Sequence, residues 1–177
     1  MLFFDIECYQ TLHCTLENNI CYKNKEFEVN MNAKEYFYSG YNCAQSVALV
    51  FADELGLDKE FIARAVSGFG GGIGRLRETC GAVSGMVFVL NLLYGYSNPN
   101  DTDIKAEYYQ RVREVVEEYR KEVGSITCKE ILKNPEVGGK PEDRTTEYYQ
   151  KRPCPDLCLL AENILRKYIA RNDYERK

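Results

Sequence analysis

The sequence predicts an all-α domain, and three observations carry that expectation. Apolar residues recur at helical spacing from Asn32 onward. Asn42, Asp58 and Asp101 stand where helix caps belong, and Gly40, Gly56 and Gly124 where helices end. No stretch of this region alternates as a convincing strand. The expected architecture is a compact helical bundle with a buried apolar central helix over residues 31–177, preceded by an N-terminal extension over 1–30.

The extension comes first. Leu12-His13-Cys14-Thr15-Leu16 alternates, Asn18-Asn19 offers a turn, and Ile20-Cys21-Tyr22 returns, which is the pattern of a hairpin. A poorly ordered tail, or a natural start at Met31, reads equally well from these residues. Ala33, Tyr36 and Phe37 then lie on a short amphipathic turn ended by Ser39-Gly40. Cys43, Val47, Val50 and Phe51 repeat up to Gly56, and Asp58 caps a helix through Phe61, Ile62, Ala65 and Val66. A glycine-dense loop, Gly68 to Arg75, precedes an almost wholly apolar helix over about Thr79 to Tyr94, which should be central and buried. Asp101 starts a long helix to about Val123, with Ile104, Tyr108, Val112, Val115 or Val116 and Tyr119 on one face. A short helix over Cys128 to Leu132, a Pro/Gly-rich loop from Asn134 to Glu142, and a last helix from about Pro155 past Ile169 complete the chain.

Composition bounds the function. With 177 residues, 45% hydrophobic and 28% charged, the chain is long enough to bury a core and is neither disordered nor fibrous. A formal charge of −4 gives no basic footprint for nucleic acid. The longest apolar run, Met86 to Leu93, is far short of the ~20 residues a membrane span needs. The start shows no basic n-region of a secretory signal, so a reducing cytoplasmic location is expected. The fourteen tyrosines, clustered at Tyr36–Tyr41, Tyr108–Tyr109 and Tyr148–Tyr149, are expected at the bundle surface or a homo-oligomer contact. Tetrads of Glu-Tyr-Tyr-Gln at 107–110 and 147–150 do not extend into a repeat. Adjacent acid pairs such as Asp53-Glu54 point to different helix faces and suit solvent better than acid–base chemistry.

The eight cysteines are the chemical signal, at about 4.5% of the chain and below a disulfide scaffold's density. In a reducing compartment such residues are more often catalytic, redox-sensing or metal-binding than structural. Any single one can also be a small buried hydrophobe. Position separates four of them. Asn42 with Gln45 makes a capping box that puts Cys43 at the first helical position, and Thr127 with Glu130 does the same for Cys128. Pro155 suits the first position of the last helix and leaves Cys154 at its N-cap. Cys80 opens the apolar helix, after Arg75 and Arg77. A helix N-terminus offers free N–H groups and partial positive charge, which favour thiolate over thiol. Gly81 and Gly85 share a bare helical face that another backbone or a sulfur can approach. The glycine loop lacks the preceding strand a dinucleotide site requires, so its expected role is to deliver Cys80 into the core.

Together Gly40-Tyr41-Asn42-Cys43-Ala44-Gln45, Gly70-Gly71-Gly72-Ile73-Gly74-Arg75 and Cys80-Gly81-Ala82-Val83-Ser84-Gly85 resemble the C_GCAxxG_C_C family of putative redox-active proteins. The family name describes four separated cysteines. Cys128 matches the third, and Cys154 matches the fourth better than Cys158 does. The resemblance spans roughly residues 32–170. It implies a small helical protein that works through thiol redox chemistry. Cys158 and the cysteines of residues 1–30 (Cys8, Cys14 and Cys21) depart from the pattern.

The leading expectation is thiol–disulfide redox at Cys43, Cys80, Cys128 and Cys154, with Cys80 attacking, and with a redox partner protein or a small thiol as counterpart. Four cysteines allow three pairings, which the sequence leaves open. No cofactor is required by that reading. An alternative is a metal or iron–sulfur site on the same four thiolates, weakened by the absence of any Cys-x-x-Cys pair. A further alternative is a non-enzymatic, partner-binding helical domain whose cysteines are filler.

Overall fold

Asn32 and Asn42 open the first two helices in the same way. In α1 (Ala33–Tyr38) the Asn32 side chain accepts from Glu35 N while the Glu35 carboxylate accepts from Asn32 N. In α2 (Cys43–Val50) Asn42 and Gln45 make the same reciprocal pair, as the sequence leads one to expect. These contacts come from a computed structural model that describes residues 12–14, 21–23 and 31–172. The chain divides into two units, Met1–Asn30 and Met31–Lys177.

In the first unit β1 (Leu12–Cys14) pairs antiparallel with β2 (Cys21–Lys23), with Leu12 opposite Lys23 and Cys14 opposite Cys21. The Asn18-Asn19 turn and Cys8 lie outside the described residues.

The described part of the second unit is all-α. α3 (Ala52–Leu55) ends on Gly56 in the left-handed conformation, and Asp58 caps α4 (Lys59–Ala65) by accepting from Phe61 N at 2.8 Å. A 3-10 turn over Ser67–Phe69 leads into the glycine loop. Then follow α5 (Gly81–Tyr94), α6 (Thr102–Val123), α7 (Cys128–Ile131), α8 (Thr146–Lys151) and α9 (Cys154–Arg171). Among the described residues no helix is long and apolar enough to cross a membrane.

The apolar helix α5 is central, packing on α2, α6 and α9, while α1 and α2 both lie against α9. Its closest neighbour is α2. A Cβ on Gly81 would sit 2.9 Å from Cys43 Cβ, and one on Gly85 would sit 2.8 Å from Ala44 O. The bare face read from the sequence is therefore where the α2 backbone rests. Phe37, Val47, Leu49, Met86, Leu90, Val115 and Leu165 fill the core around this contact. Full burial of such side chains is worth about 1.5–3 kcal/mol each.

Several expectations need correction. Ile104 is 50% exposed, because the first turn of α6 overhangs the bundle; only Tyr108, Val115 and Tyr119 of that helix are buried. Several tyrosines are core rather than surface: Tyr36, Tyr108, Tyr119 and Tyr168 are buried, the Tyr108 hydroxyl donating to Asn91. α8 lies between the loop that ends at Glu142 and the last helix, where the sequence reading places no element, and is capped by Thr145, which accepts from Tyr148 N at 3.2 Å.

Candidate functional site

Four helix starts converge on one cavity, and each carries a cysteine. Cys43 is the first residue of α2, Cys80 the N-cap of α5, Cys128 the first residue of α7 and Cys154 the first residue of α9. Two details differ from expectation. Pro153, not Cys154, is the N-cap of α9, which puts Pro155 at the second position. The Thr127–Glu130 box does not form: Glu130 pairs instead with Ser125 Oγ, which itself accepts from Thr127 N.

What seats Cys128 is a short antiparallel bridge between Thr79 and Thr127. Cys80 N donates to Ile126 O at 2.7 Å, and Cys128 N and Lys129 N donate to Glu78 O and Arg77 O at 2.6 and 2.9 Å. The approach to α5 and the start of α7 are thus laced side by side. The glycine loop closes over them, since a Cβ on Gly72 would lie 2.7 Å from Cys128 Cβ. The loop runs through left-handed conformations at Gly71, Gly72, Ile73, Gly74, Arg75 and Arg77. Glycine tolerates that region freely, whereas side-chain-bearing residues held there cost about 1–3 kcal/mol each.

The resulting cavity, about 390 Å³, has Cys43, Cys80, Cys128 and Cys154 on its walls. It also carries Arg75, Arg77, Arg144 and Arg152, against a single carboxylate, Glu142. Arg144 donates to Phe37 O and Tyr41 O at 2.8 and 3.0 Å and lies 4.6 Å over the Phe37 ring, which fixes the α1–α2 connection below the cavity. The arginines and Glu142 carried no signal in sequence beyond Arg75 and Arg77, because they come from a loop and helix 60 or more residues downstream.

The sulfurs do not form one equal set. Cys43, Cys154 and Cys158 form one group whose thiols shift each other's acidity. Cys158 is fully buried behind the cavity, its Sγ 3.7 Å from Cys43 O. Cys80 instead meets Tyr119 Oη at 3.5 Å, and Cys128 faces Arg77. All five are free thiols. Among the described residues no group of three or more His, Cys, Asp or Glu is arranged to hold a metal ion.

The thiol acidity expected at helix starts is also overturned. Burial pushes the Cys80 thiol up; the Tyr119 hydrogen bond and the N–H groups of Ala82 and Val83 pull it down, and burial wins. Burial likewise raises Cys128 and Cys158, with Arg77 opposing at Cys128 and the Cys43 hydrogen bond opposing at Cys158. Cys154 is raised by its hydrogen bond to Cys43 and by burial. At Cys43 the Cys154 hydrogen bond favours thiolate, but Cys158 and burial together hold the group well above its ordinary value. Desolvation of a charge outweighs the helix-end field here. The two arginines before Cys80 do not serve it: Arg77 acts on Cys128.

The C_GCAxxG_C_C family, described as putative redox-active protein, matches residues 41–168. The chain belongs to this family. No curated protein and no solved structure matches it. The matched span of this C_GCAxxG_C_C protein runs from the residue before Asn42 to Tyr168 in α9, and so contains every cysteine and arginine of the cavity. It also contains Cys158 and Tyr119, the two sulfur partners that sequence spacing did not single out.

Proposed function

We propose that this C_GCAxxG_C_C protein exchanges electrons with small or protein disulfides, using Cys43 and Cys154 as the exchanging pair among Cys43, Cys80, Cys128 and Cys154. One observation carries the reading: Cys43 and Cys154 begin two packed helices and both stand on the wall of one open cavity, close enough to shift each other's acidity. Cys43 takes the attacking role in place of Cys80, since it is half-buried where Cys80, Cys128, Cys154 and Cys158 are buried. Its thiolate attacks a disulfide R–S–S–R, forming a mixed disulfide and releasing one R–S⁻. Cys154, as thiolate, then attacks the Cys43 sulfur, forms a Cys43–Cys154 bond and releases the second R–S⁻. Two electrons pass from the protein dithiol to the disulfide, and the two thiol protons end on the two R–SH products. The upward shifts of the Cys43 and Cys154 thiols fit a pair kept protonated until a substrate enters. A reducing cytoplasmic setting suits such a resting dithiol.

The test is redox equilibration of the full chain across a series of glutathione to glutathione disulfide ratios. Free thiols are then alkylated and located by mass spectrometry. A two-electron transition that removes Cys43 and Cys154 from the alkylated set together is expected. Persistence of all described thiols in a disulfide-rich buffer would sink the proposal. The non-enzymatic filler reading predicts that persistence.

A further inference from the structure

The arginine wall has more positive charge than its own carboxylate can satisfy. Glu142 makes a close pair with Arg152, at 2.5 and 2.6 Å, yet stands 3.8 Å from Arg75 and 4.0 Å from Arg77. Arg77 is 2% exposed, and its Nη2 is buried with no hydrogen-bond partner. Both Arg75 and Arg77 are held in left-handed backbone conformations that aim them at the cavity they line. Their Nε groups are already used, donating to Gly138 O and Glu136 O at 2.7 and 2.8 Å. Beyond those bonds Arg77 has Cys128 beside it, its Nη2 stays unpartnered, and one half-exposed carboxylate is shared among Arg75, Arg77 and Arg152. A buried guanidinium N–H without an acceptor is costly, so this wall is built for a second anion or a better-placed one.

We propose that this wall binds the carboxylate of a small disulfide or thiol substrate, such as an amino-acid or short-peptide disulfide, with Glu142 as an internal stand-in that the substrate displaces. The inference rests on the redox reading for the identity of the sulfur, and on the arginines for the carboxylate. A ligand of this class spans the cavity naturally, its acid on Arg75, Arg77 and Arg152 and its sulfur toward Cys43. A cavity of about 390 Å³ is in the range of small-molecule sites, roughly 300–1,000 Å³. Glu142 sits on the segment between Asn134 and Arg144, where Gly138 and Gly139 both take left-handed conformations. That segment is tied to the glycine loop mainly through the arginines themselves, so leaving the wall costs Glu142 few other contacts.

The sulfur step is the one already balanced above: two electrons from Cys43 and Cys154 reduce the bound disulfide to two thiols. The carboxylate contributes position, not electrons.

Two measurements on the full-length reduced protein separate the parts. S-methylglutathione, which has the carboxylates but no exchangeable sulfur, should bind in calorimetry. Arg77→Gln should weaken that binding at least tenfold, whereas Glu142→Gln, which removes the stand-in, should tighten it severalfold. The gain in Glu142→Gln keeps the test alive if Arg77→Gln fails to fold. Glutathione disulfide should also oxidise Cys43 at least tenfold faster than cystamine, a disulfide with amines in place of carboxylates. Equal rates with the two disulfides and no S-methylglutathione binding would overturn the carboxylate site and leave the redox reading standing. Binding that follows the two variants, with neither disulfide reducible, would overturn the redox reading and support the carboxylate wall. Unchanged or weaker binding in Glu142→Gln would remove the stand-in role.

Discussion

The Cys158 thiol donates to the backbone carbonyl of Cys43 at 3.7 Å, and the two thiols shift each other's acidity. A cysteine outside the four-cysteine pattern thus governs the most accessible one inside it. Cys158 is among the causes that hold the Cys43 thiol up, both as hydrogen-bond partner and as neighbouring charge. Cys158→Ala should therefore lower the Cys43 pKa and speed its alkylation by iodoacetamide severalfold at pH 8. Alkylation kinetics resolved by peptide mass spectrometry would check this. Slower Cys43 alkylation in the variant would show that Cys158 instead supports the Cys43 thiolate.

A second expectation concerns stability against pH. The thiols of Cys43, Cys80, Cys128, Cys154 and Cys158 are all raised in the folded state, whereas an unfolded cysteine titrates near 8.5. Between those values the unfolded chain has lost protons that the native chain retains, so stability falls as pH rises. It is fully present below about pH 8.5 and declines above, by about 1.4 kcal/mol per pH unit for each thiol still protonated in the fold. Urea denaturation under a phosphine reductant from pH 7 to 9.5 should show the midpoint constant at first and then dropping. Cys80→Ala should make the drop shallower. A midpoint that rises over pH 8.5–9.5 would contradict the burial-driven shifts.

Much of the helical frame was legible because its signals are local. The Asn42–Gln45 box, the Asp58 and Asp101 caps, and the Gly56 and Gly124 stops each act within one turn. The Gly81–Gly85 face was legible as a gap, though not as the seat of α2, since spacing shows where a neighbour fits without saying which. The cavity's charge was not legible: Glu142, Arg144 and Arg152 meet Arg75 and Arg77 only through a loop closing over 60 residues of sequence. Thiol acidity is not legible for a related reason. The helix-start field is visible in sequence, but the desolvation that outweighs it depends on what packs around each sulfur.

The dock of α1 on α9 gives a third expectation. Glu162 is buried, accepts from Ala33 N at 2.8 Å and from Arg166 Nε at 2.9 Å, and thereby caps α1 from a different helix. Glu162→Ala leaves the Ala33 N–H without its acceptor and removes one partner of Arg166, which keeps Glu54 at 2.8 Å. Hydrogen bonds to charged groups are worth about 1.5–3 kcal/mol. A loss of that order in urea denaturation is expected. A loss under about 0.5 kcal/mol would mean that water replaces the carboxylate freely.

Gly85 offers the sharpest packing test, because the obstacle it faces is backbone. A Cβ there would meet Ala44 O at 2.8 Å and Val47 Cβ at 2.9 Å, and neither can rotate away. Gly85→Ala must therefore push α5 and α2 apart, and α2 carries Cys43 in its first turn. Alanine also gains about 1 kcal/mol of helix propensity over glycine, which works against the clash. A clash against backbone falls at the upper end of the about 1–3 kcal/mol that overpacking costs, so a net loss of about 1–2 kcal/mol is expected in denaturant melts. The displacement should also open the Cys43–Cys154 contact and slow closure of that disulfide under glutathione disulfide by severalfold. Gly95→Ala, at the far end of the same helix, would disturb the Asn91 turn without touching α2 and leave the closure rate unchanged. If Gly85→Ala proves neutral or stabilising, the α2–α5 contact is looser than the 2.8 Å approach indicates, and the close seat of Cys43 against α5 falls with it.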